Sequence, residues 1–305
     1  MIINFSVKKV SFKLLSFILI YFFGSQISAQ EIGKPIIRNY TQKEYDNAPV
    51  VFSALQDEND IMYFGVQNGV MQFDGVTWRN IPFGKETYTY DLAMDANGKI
   101  YVAAINEFGY LDTNTNGNIV YITLTHLKTD STLSVGTVWS VKLTNKQVYF
   151  LTLSAIYQYT PAENEIQIFK ADSNSIFIGD FVYDDTYFVR SKNQGLMRIE
   201  NNEIKTTYQP DFFKNTSFNS CLSYNDSTVL ITSRIKGLYL FQPDMDAMPK
   251  ALPIVNNDFV ADNDIYKSAK LLDKYYALGS FKKGALLIDK KGRALQQFNT
   301  SNQLL

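Results

Sequence analysis

The chain repeats itself. A block made of an apolar, aromatic-rich strand, a short polar loop, a small residue and a second apolar strand recurs along its length. The clearest copy runs Ile61-Met62-Tyr63-Phe64-Gly65, then Val66-Gln67-Asn68, then Gly69-Val70-Met71-Gln72-Phe73-Asp74-Gly75. Equivalent positions in the six copies are Gly69, Gly109, Ala155, Gly195, Gly237 and Gly284, which advance by 40, 46, 40, 42 and 47 residues. That period is the length of one four-stranded propeller blade, so the sequence predicts an all-β propeller with six blades present and an incomplete seventh. A β-sandwich or β-helix is the competing architecture, and blades of this length suit the propeller better.

Each block expands to four strands. In the first, residues 50–56 are expected innermost, 61–66 second, 70–74 third and 77–82 outermost. Turn chemistry agrees. Asp95-Ala96-Asn97-Gly98, Asn145-Lys146, Asp184-Asp185 and Asn225-Asp226 fall where a first-to-second-strand hairpin is needed, and these residue types tolerate positive φ. Glycine before the third strand fits a tight reversal for the same reason. Almost nothing reads as an amphipathic helix, and 20 Tyr and 22 Phe lean the composition toward strand.

Counting strands leaves one over. Residues 35–40 form a strand ahead of six blades that fill about residues 50–300. Propellers hide an exposed edge by letting an N-terminal strand complete the last blade. The seventh blade's inner strands are therefore expected after residue 305, making this the N-terminal piece of a longer protein.

Residues 1–29 are set apart from the fold. Lys8, Lys9 and Lys13 precede an apolar run over 14–23, and small residues lead to Ala29, the pattern of a secretory signal peptide cleaved before Gln30. Ten apolar residues fall short of the roughly 20 that span a bilayer. The propeller is assigned to 30–305, and export to the periplasm follows. Without the three signal lysines, 26 basic face 30 acidic residues, which argues against direct nucleic-acid binding.

The stretch from Tyr63 through Gly75 to Trp78 resembles the opening blade of two-component-regulator propeller sensors, exported ectodomains of Bacteroidetes-type bacteria. The segment Ile100 to Leu111 is similar to that family's second blade, and Tyr275 to Asp289 with Gly292-Arg293 resembles a later one. Blades three and four match loosely, with Ala155 replacing the usual Gly. The resemblance, covering roughly 32–305, implies a seven-bladed sensor propeller followed by further sensor domains, a transmembrane helix and a cytoplasmic LuxR-type, histidine kinase or cyclase output. The parent would be anchored in the inner membrane, with homodimerisation of the full-length protein a further option.

Catalytic signals are sparse. One Cys and one His leave no room for a disulfide framework or a His-paired zinc motif. His126 sits in a polar linker, and Cys221 reads as a small core hydrophobe. No phosphate-binding glycine loop occurs. Asp112-Thr113-Asn114-Thr115-Asn116-Gly117 opens like a calcium loop, but Thr123 stands at its twelfth position, and a polar hairpin between third and fourth strands explains it better. No cofactor is expected. Trp78 and Trp139 read as core residues of the blade seams.

Topology gives the ligand expectation. Loops joining second to third strands share one propeller face with those joining successive blades. That face carries Asn106 and Glu107, then Arg190, Lys192 and Asn193, then Arg234 and Lys236, then Lys282 and Lys283. The later blades present a basic arc on an acidic protein, suited to a small-molecule, glycan or anionic ligand; solubilising loop charge is the plainer explanation of the same residues. The chain is read as a non-catalytic extracytoplasmic sensor propeller. The alternatives are a secreted propeller enzyme of lyase or glycosidase type, or an adhesion scaffold.

Overall fold

The computed structural model of the chain describes residues 38, 40–45, 50–84, 86–128, 134–207, 210–234, 236–245, 247–255, 259 and 265–299. The expected signal peptide, most of the 35–40 strand and the last six residues lie outside them. Asn39–Leu305 is one compact unit, and it is a β-propeller of six four-stranded antiparallel blades. Blade one holds β1 (Ser53–Gln56), β2 (Met62–Val66), β3 (Gly69–Phe73) and β4 (Trp78–Pro82). Blade two holds β5 (Thr89–Met94), β6 (Ile100–Ala104), β7 (Glu107–Thr113) and β8 (Ile119–Thr123). Blade three is β9 (Ser140–Leu143), β10 (Val148–Leu151), β11 (Ala155–Thr160) and β12 (Glu165–Lys170), and blade four is β13 (Phe177–Tyr183), β14 (Thr186–Ser191), β15 (Gly195–Glu200) and β16 (Glu203–Thr206). Blade five has β17 (Ser220–Asn225), β18 (Thr228–Ser233), β19 (Gly237–Phe241) and β20 (Lys250–Leu252); blade six has β21 (Ile265–Leu271), β22 (Tyr275–Ser280), β23 (Gly284–Asp289) and β24 (Ala294–Phe298).

Every blade pairs its strands in sequence order, innermost to outermost. The second strands are buried along their whole length in β6, β10 and β18, because seams press on both of their faces. Outer strands are far less enclosed: β4 has one buried residue and β16 has none. Hydrophobic clusters fill the seams between successive blades. Val70 and Tyr63 meet Val102 between blades one and two, Phe108 meets Phe150 and Tyr157 between two and three, and Tyr149 meets Tyr187 between three and four. Phe181 and Phe188 meet Phe241 between four and five, and Leu230 meets Tyr276 between five and six. Among the described residues, blades six and one share no such cluster. The far side of blade one is covered instead by Tyr40 and by Tyr45 of a short 3-10 turn, both packed on Trp78, with ring centroids 5.4 and 5.5 Å away.

The turn expectations hold locally. Asp95 Oδ1 accepts from the Asn97 and Lys99 amides, with Gly98 at φ 81°. Asp184 and Asp185 take φ 44° and 56° in their two-residue turn. The Asp112–Gly117 segment closes the β7–β8 hairpin, where Asn114 Oδ1 accepts from Asn116 and Asn118. The recurrent glycine divides into two kinds. Gly195, Gly237 and Gly284 open their third strands with positive φ, and Gly69 opens β3 after a left-handed Asn68; Gly109, expected at the same position, is instead the third residue of β7, which Glu107 opens after the left-handed Asn106. Gly69 and Gly109 are needed because a Cβ would run into the Ile81 or Ile122 carbonyl oxygen on the fourth strand.

Two expectations are corrected. Trp139 is not core: it is 43% exposed at the start of β9. A helical turn that the sequence did not announce, α1 (Pro210–Asn215), bridges blades four and five. Six residues are too few to show a period, and its buried Phe213 anchors it to the seam.

The two ends of the ring axis differ. On the face formed by first-to-second and third-to-fourth turns, blades are stitched to their neighbours. The Asn145 amide donates to Asp185 Oδ1 at 2.6 Å, the Tyr183 hydroxyl to the Asp226 carbonyl at 3.1 Å and the Tyr224 hydroxyl to the Lys290 carbonyl at 3.0 Å.

Candidate ligand site in the propeller channel

Inner strands of a propeller surround its axis, and side chains that alternate inward fill or line the channel. Here β5, β9, β13, β17 and β21, with the turns above them, line a cavity of about 600 Å³. Its residues fall into two layers fixed by their place along each strand. Trp139, Leu153, Phe177, Phe218, Arg234, Tyr266 and Phe281 stand at strand starts or in second-to-third-strand turns and form the mouth. Asp91, Lys142, Asp180 and Lys267 stand one step further in and form the floor.

The mouth is aromatic and open. Phe281 is 62% exposed and Tyr266 43%, and the two rings lie 4.4 Å apart. Trp139 packs 4.7 Å from Tyr90, which in turn lies 4.8 Å from Phe52 of blade one. The Arg234 guanidinium stands 5.9 Å over the Phe281 ring.

The floor is an ion-pair network drawn from four blades. Asp91 is buried; its Oδ2 accepts from Lys142 Nζ at 3.0 Å, from the Val141 amide at 3.2 Å and from Ser140 Oγ at 3.3 Å. Its Oδ1 accepts from Ser53 Oγ and from Lys267 Nζ, each at 3.3 Å. Burial alone would raise the Asp91 pKa, but the Lys142 and Lys267 ammonium groups and the donated hydrogen bonds outweigh it and hold the carboxyl down at about 2. Asp180 goes the other way. Burial pushes its carboxyl up, only partly offset by Lys142, Ser140 and the Tyr187 hydroxyl, which donates at 2.9 Å. Burial disfavours the Lys142 ammonium, yet the carboxylates of Asp91 and Asp180 leave it more firmly protonated than usual. On the β17 side, Ser220 Oγ accepts from the Ser268 amide at 3.0 Å, which ties blade six to blade five, and Cys221 lines the wall with its thiol pKa pushed well up by burial.

Of the residues expected on the channel face, Arg234 lines the cavity. Asn106, Lys192, Lys236, Lys282 and Lys283 are on exposed turns of that face but outside the lining, as is Asn193. Lys236 Nζ donates to the Asn215 carbonyl at 2.6 Å. Arg190 is buried, its Nε and Nη2 donating to the Phe213 and Lys214 carbonyls at the end of α1, at 2.5 and 3.0 Å. Glu107 accepts from the hydroxyls of Tyr121, Thr123 and Thr125 within blade two. These two hold blade structure together. His126 is exposed on a 3-10 turn, and no cluster of three metal-ligating side chains occurs among the described residues.

The floor residues were missed because Asp91, Lys142 and Asp180 are each the one charge in an otherwise ordinary strand, and Lys267 shares β21 with a second lysine, Lys270. The one available signal was positional: Asp91, Lys142, Asp180 and Lys267 all occupy first strands, which a propeller points at its axis.

No protein-family profile matches the chain, and no curated protein matches it either. Solved structures do. The extracellular domain of BT4673 from B. thetaiotaomicron, described as part of a hybrid two-component system, superposes with a TM-score of 0.62 at 19% identity, over 85% of this chain and 34% of that one. A second structure of the same domain, described as a one-component system, gives 0.62 at 18% identity, over 84% and 35%. The WD40 propeller domain of Doa1 gives 0.61 at 12% identity, over 82% of both chains. The chain therefore spans about a third of the BT4673 ectodomain's length. At these identities the likeness is one of fold, and the propeller fold foreseen from the resemblance to two-component-regulator sensors is the fold this chain shares with the extracellular domain of BT4673.

Proposed function

We propose that the chain is the ligand-recognising propeller of an extracytoplasmic bacterial sensor, and that the ligand enters the channel between the aromatic mouth and the charged floor. The observation that carries this reading is the cavity itself. Its volume of about 600 Å³ lies within the range of small-molecule sites, and its lining combines apolar rings with a few convergent charged groups. Arg234 is the member of the expected basic arc assigned to that site; the remaining arc lysines are assigned to the approach of an anionic ligand or partner. Similarity to an ectodomain described as part of a two-component system supports the sensor role, with the response passed to sensor and output domains beyond this segment.

The test is a thermal-shift screen of the purified chain against saccharides, amino acids and organic acids. A compound that raises the melting temperature, and loses its effect in Trp139→Ala, supports channel recognition; a library without a single stabilising member counts against it. Fusion of residues 1–29 to alkaline phosphatase tests export, with cleavage after Ala29 read by mass spectrometry.

The opposed shifts of Asp91 and Asp180 favour one second reading, because paired carboxyls driven apart in pKa are what acid–base catalysis uses. Both are engaged by Lys142 or Tyr187, which fits a structural pair better. Turnover of any glycoside or uronate polymer that is lost in Asp180→Asn would establish the enzyme instead.

A further inference from the structure

The polar groups around the cavity are already answered from within the protein, and that constrains what can enter. The floor holds two carboxylates, Asp91 and Asp180, and two ammonium groups, Lys142 and Lys267, so its formal charges cancel. Asp91 accepts three hydrogen bonds on Oδ2 and two on Oδ1, which fills the roughly four lone-pair sites of a carboxylate. Lys142 Nζ directs its donors to Asp91 Oδ2, Ser140 Oγ and the Val141 carbonyl. Asp180 accepts from the Tyr187 hydroxyl. Lys267 is paired with Asp91 and, with its side chain 52% exposed, is solvated for the rest. On the wall of blades five and six, Asn219 Nδ2 donates to the Ile265 carbonyl at 2.7 Å and Ser268 Oγ to Thr232 Oγ1 at 3.2 Å. Arg234 at the rim is engaged too, its guanidinium 5.9 Å over the Phe281 ring.

The apolar groups are the reverse. Phe281, Tyr266, Trp139 and Leu153 border the cavity, yet they are 62, 43, 43 and 42% exposed. Their rings belong to two walls. Phe281 lies 4.4 Å from Tyr266 in blade six, and Trp139 of blade three lies 4.7 Å from Tyr90 of blade two. Burial raises the Tyr90 pKa and the Tyr266 hydroxyl adds to the rise, so the walls stand within electrostatic reach of each other across the mouth. Water held against large apolar side chains in a concave site is released when an apolar body covers them. A charged ligand entering here would give up its hydration and find no unpaired counter-charge. A sugar would bring its hydroxyls to groups whose hydrogen bonds are already made.

We propose, resting on the channel-ligand reading above, that the cavity takes an uncharged aromatic molecule held at the rim by Trp139, Tyr266, Phe281 and Leu153, with the charged floor serving as a closed base. The arc lysines outside the lining then have no part in holding this ligand and are left to a partner surface.

Indole-3-acetamide, indole-3-acetate and tryptamine share one ring system and differ in charge. With indole itself they serve as the probes, in calorimetric titrations of the whole chain. Indole and indole-3-acetamide are expected to bind one to one, and the two charged relatives roughly ten-fold more weakly. Trp139→Ala and Phe281→Ala should each weaken indole roughly three- to ten-fold, the worth of one aromatic contact. Val76→Ala, on an exposed turn of the opposite face, should leave it unchanged. Melting curves establish that each variant folds, and the probe series alone decides the charge preference if one does not. Indole-3-acetate or tryptamine binding as tightly as indole-3-acetamide, or indole indifferent to both ring deletions, overturns the proposal. Glucose and maltose are titrated alongside. A sugar or charged indole that binds more tightly than indole, and loses affinity in Trp139→Ala, sinks the ligand class and leaves channel recognition standing; silence from every probe removes both.

Discussion

Asp91 concentrates more of the fold's polar chemistry than any other channel residue, because hydrogen bonds from blades one, three and six meet on its two oxygens. Removing one member of a buried ion pair strands the others, so Asp91→Ala should cost about 3 kcal/mol at neutral pH, read by urea unfolding. The pH dependence has a definite sign. With its carboxyl held at about 2 against an ordinary 3.8, Asp91 stabilises the fold above pH 3.8, and the benefit fades as pH falls toward 2. The gap between wild type and Asp91→Asn should therefore narrow over that window. Asp180, with its pKa raised, behaves oppositely: its charge costs stability above the folded pKa, and that cost is recovered as pH falls through the folded pKa toward its ordinary value of 3.8. Asp180→Asn, which keeps an acceptor for Tyr187, should gain on wild type as pH rises above 3.8 through the folded pKa; an unchanged difference across that range would refute the assignment. Gly109 poses a different constraint, since a side chain there meets the Ile122 carbonyl and the Tyr121 hydroxyl. Gly109→Ala should destabilise by roughly 1–3 kcal/mol through overpacking, visible as a lower melting temperature.

At the scale of elements, stability resides in the seams. Phe108 is fully buried, 4.7 Å from Phe150 and 5.0 Å from Tyr157, so it links blade two to blade three. Phe108→Ala should cost about 3–5 kcal/mol in denaturant unfolding, while Val76→Ala, on an exposed turn, should cost almost nothing. The blades were legible in the sequence because a seam demands apolar residues at a fixed spacing on every second and third strand. Tyr63, Tyr101, Tyr149, Tyr187 and Tyr276 write that demand in one residue type. The channel was far less legible. Asp91 and Lys267 lie 176 residues apart and meet only because the blades curve round an axis, a relation that no local pattern encodes. Trp139 misled for a related reason: a large aromatic opening an inner strand looks the same whether it faces a seam or the mouth. Arg190 and Glu107 sit on the expected side of the ring, yet hydrogen-bond demands inside blades four and two claim them.

Across the whole molecule, blades two to five each have a packed neighbour on both sides, whereas blades one and six lack a shared seam among the described residues. Arrays held by nearest-neighbour interfaces loosen from their ends. Hydrogen exchange should accordingly protect amides of β6, β10 and β14 most, with β22 and β23 exchanging sooner although their ladders are equally complete. Equal protection in all six blades would show that the ring closes by a contact outside the described residues.

The stitching of neighbouring blades through Asn145, Tyr183 and Tyr224 lies on one face, while the aromatic rim lies on the other. The rim is tied as well: the Phe177 amide donates to the Leu153 carbonyl at 2.9 Å, Asn219 Nδ2 to the Ile265 carbonyl at 2.7 Å and the Ile265 amide to the Arg234 carbonyl at 3.3 Å. Blades three to six are thus built like staves hooped at both ends, so a body wedged into the rim loads both hoops at once and the blades shift together rather than splay.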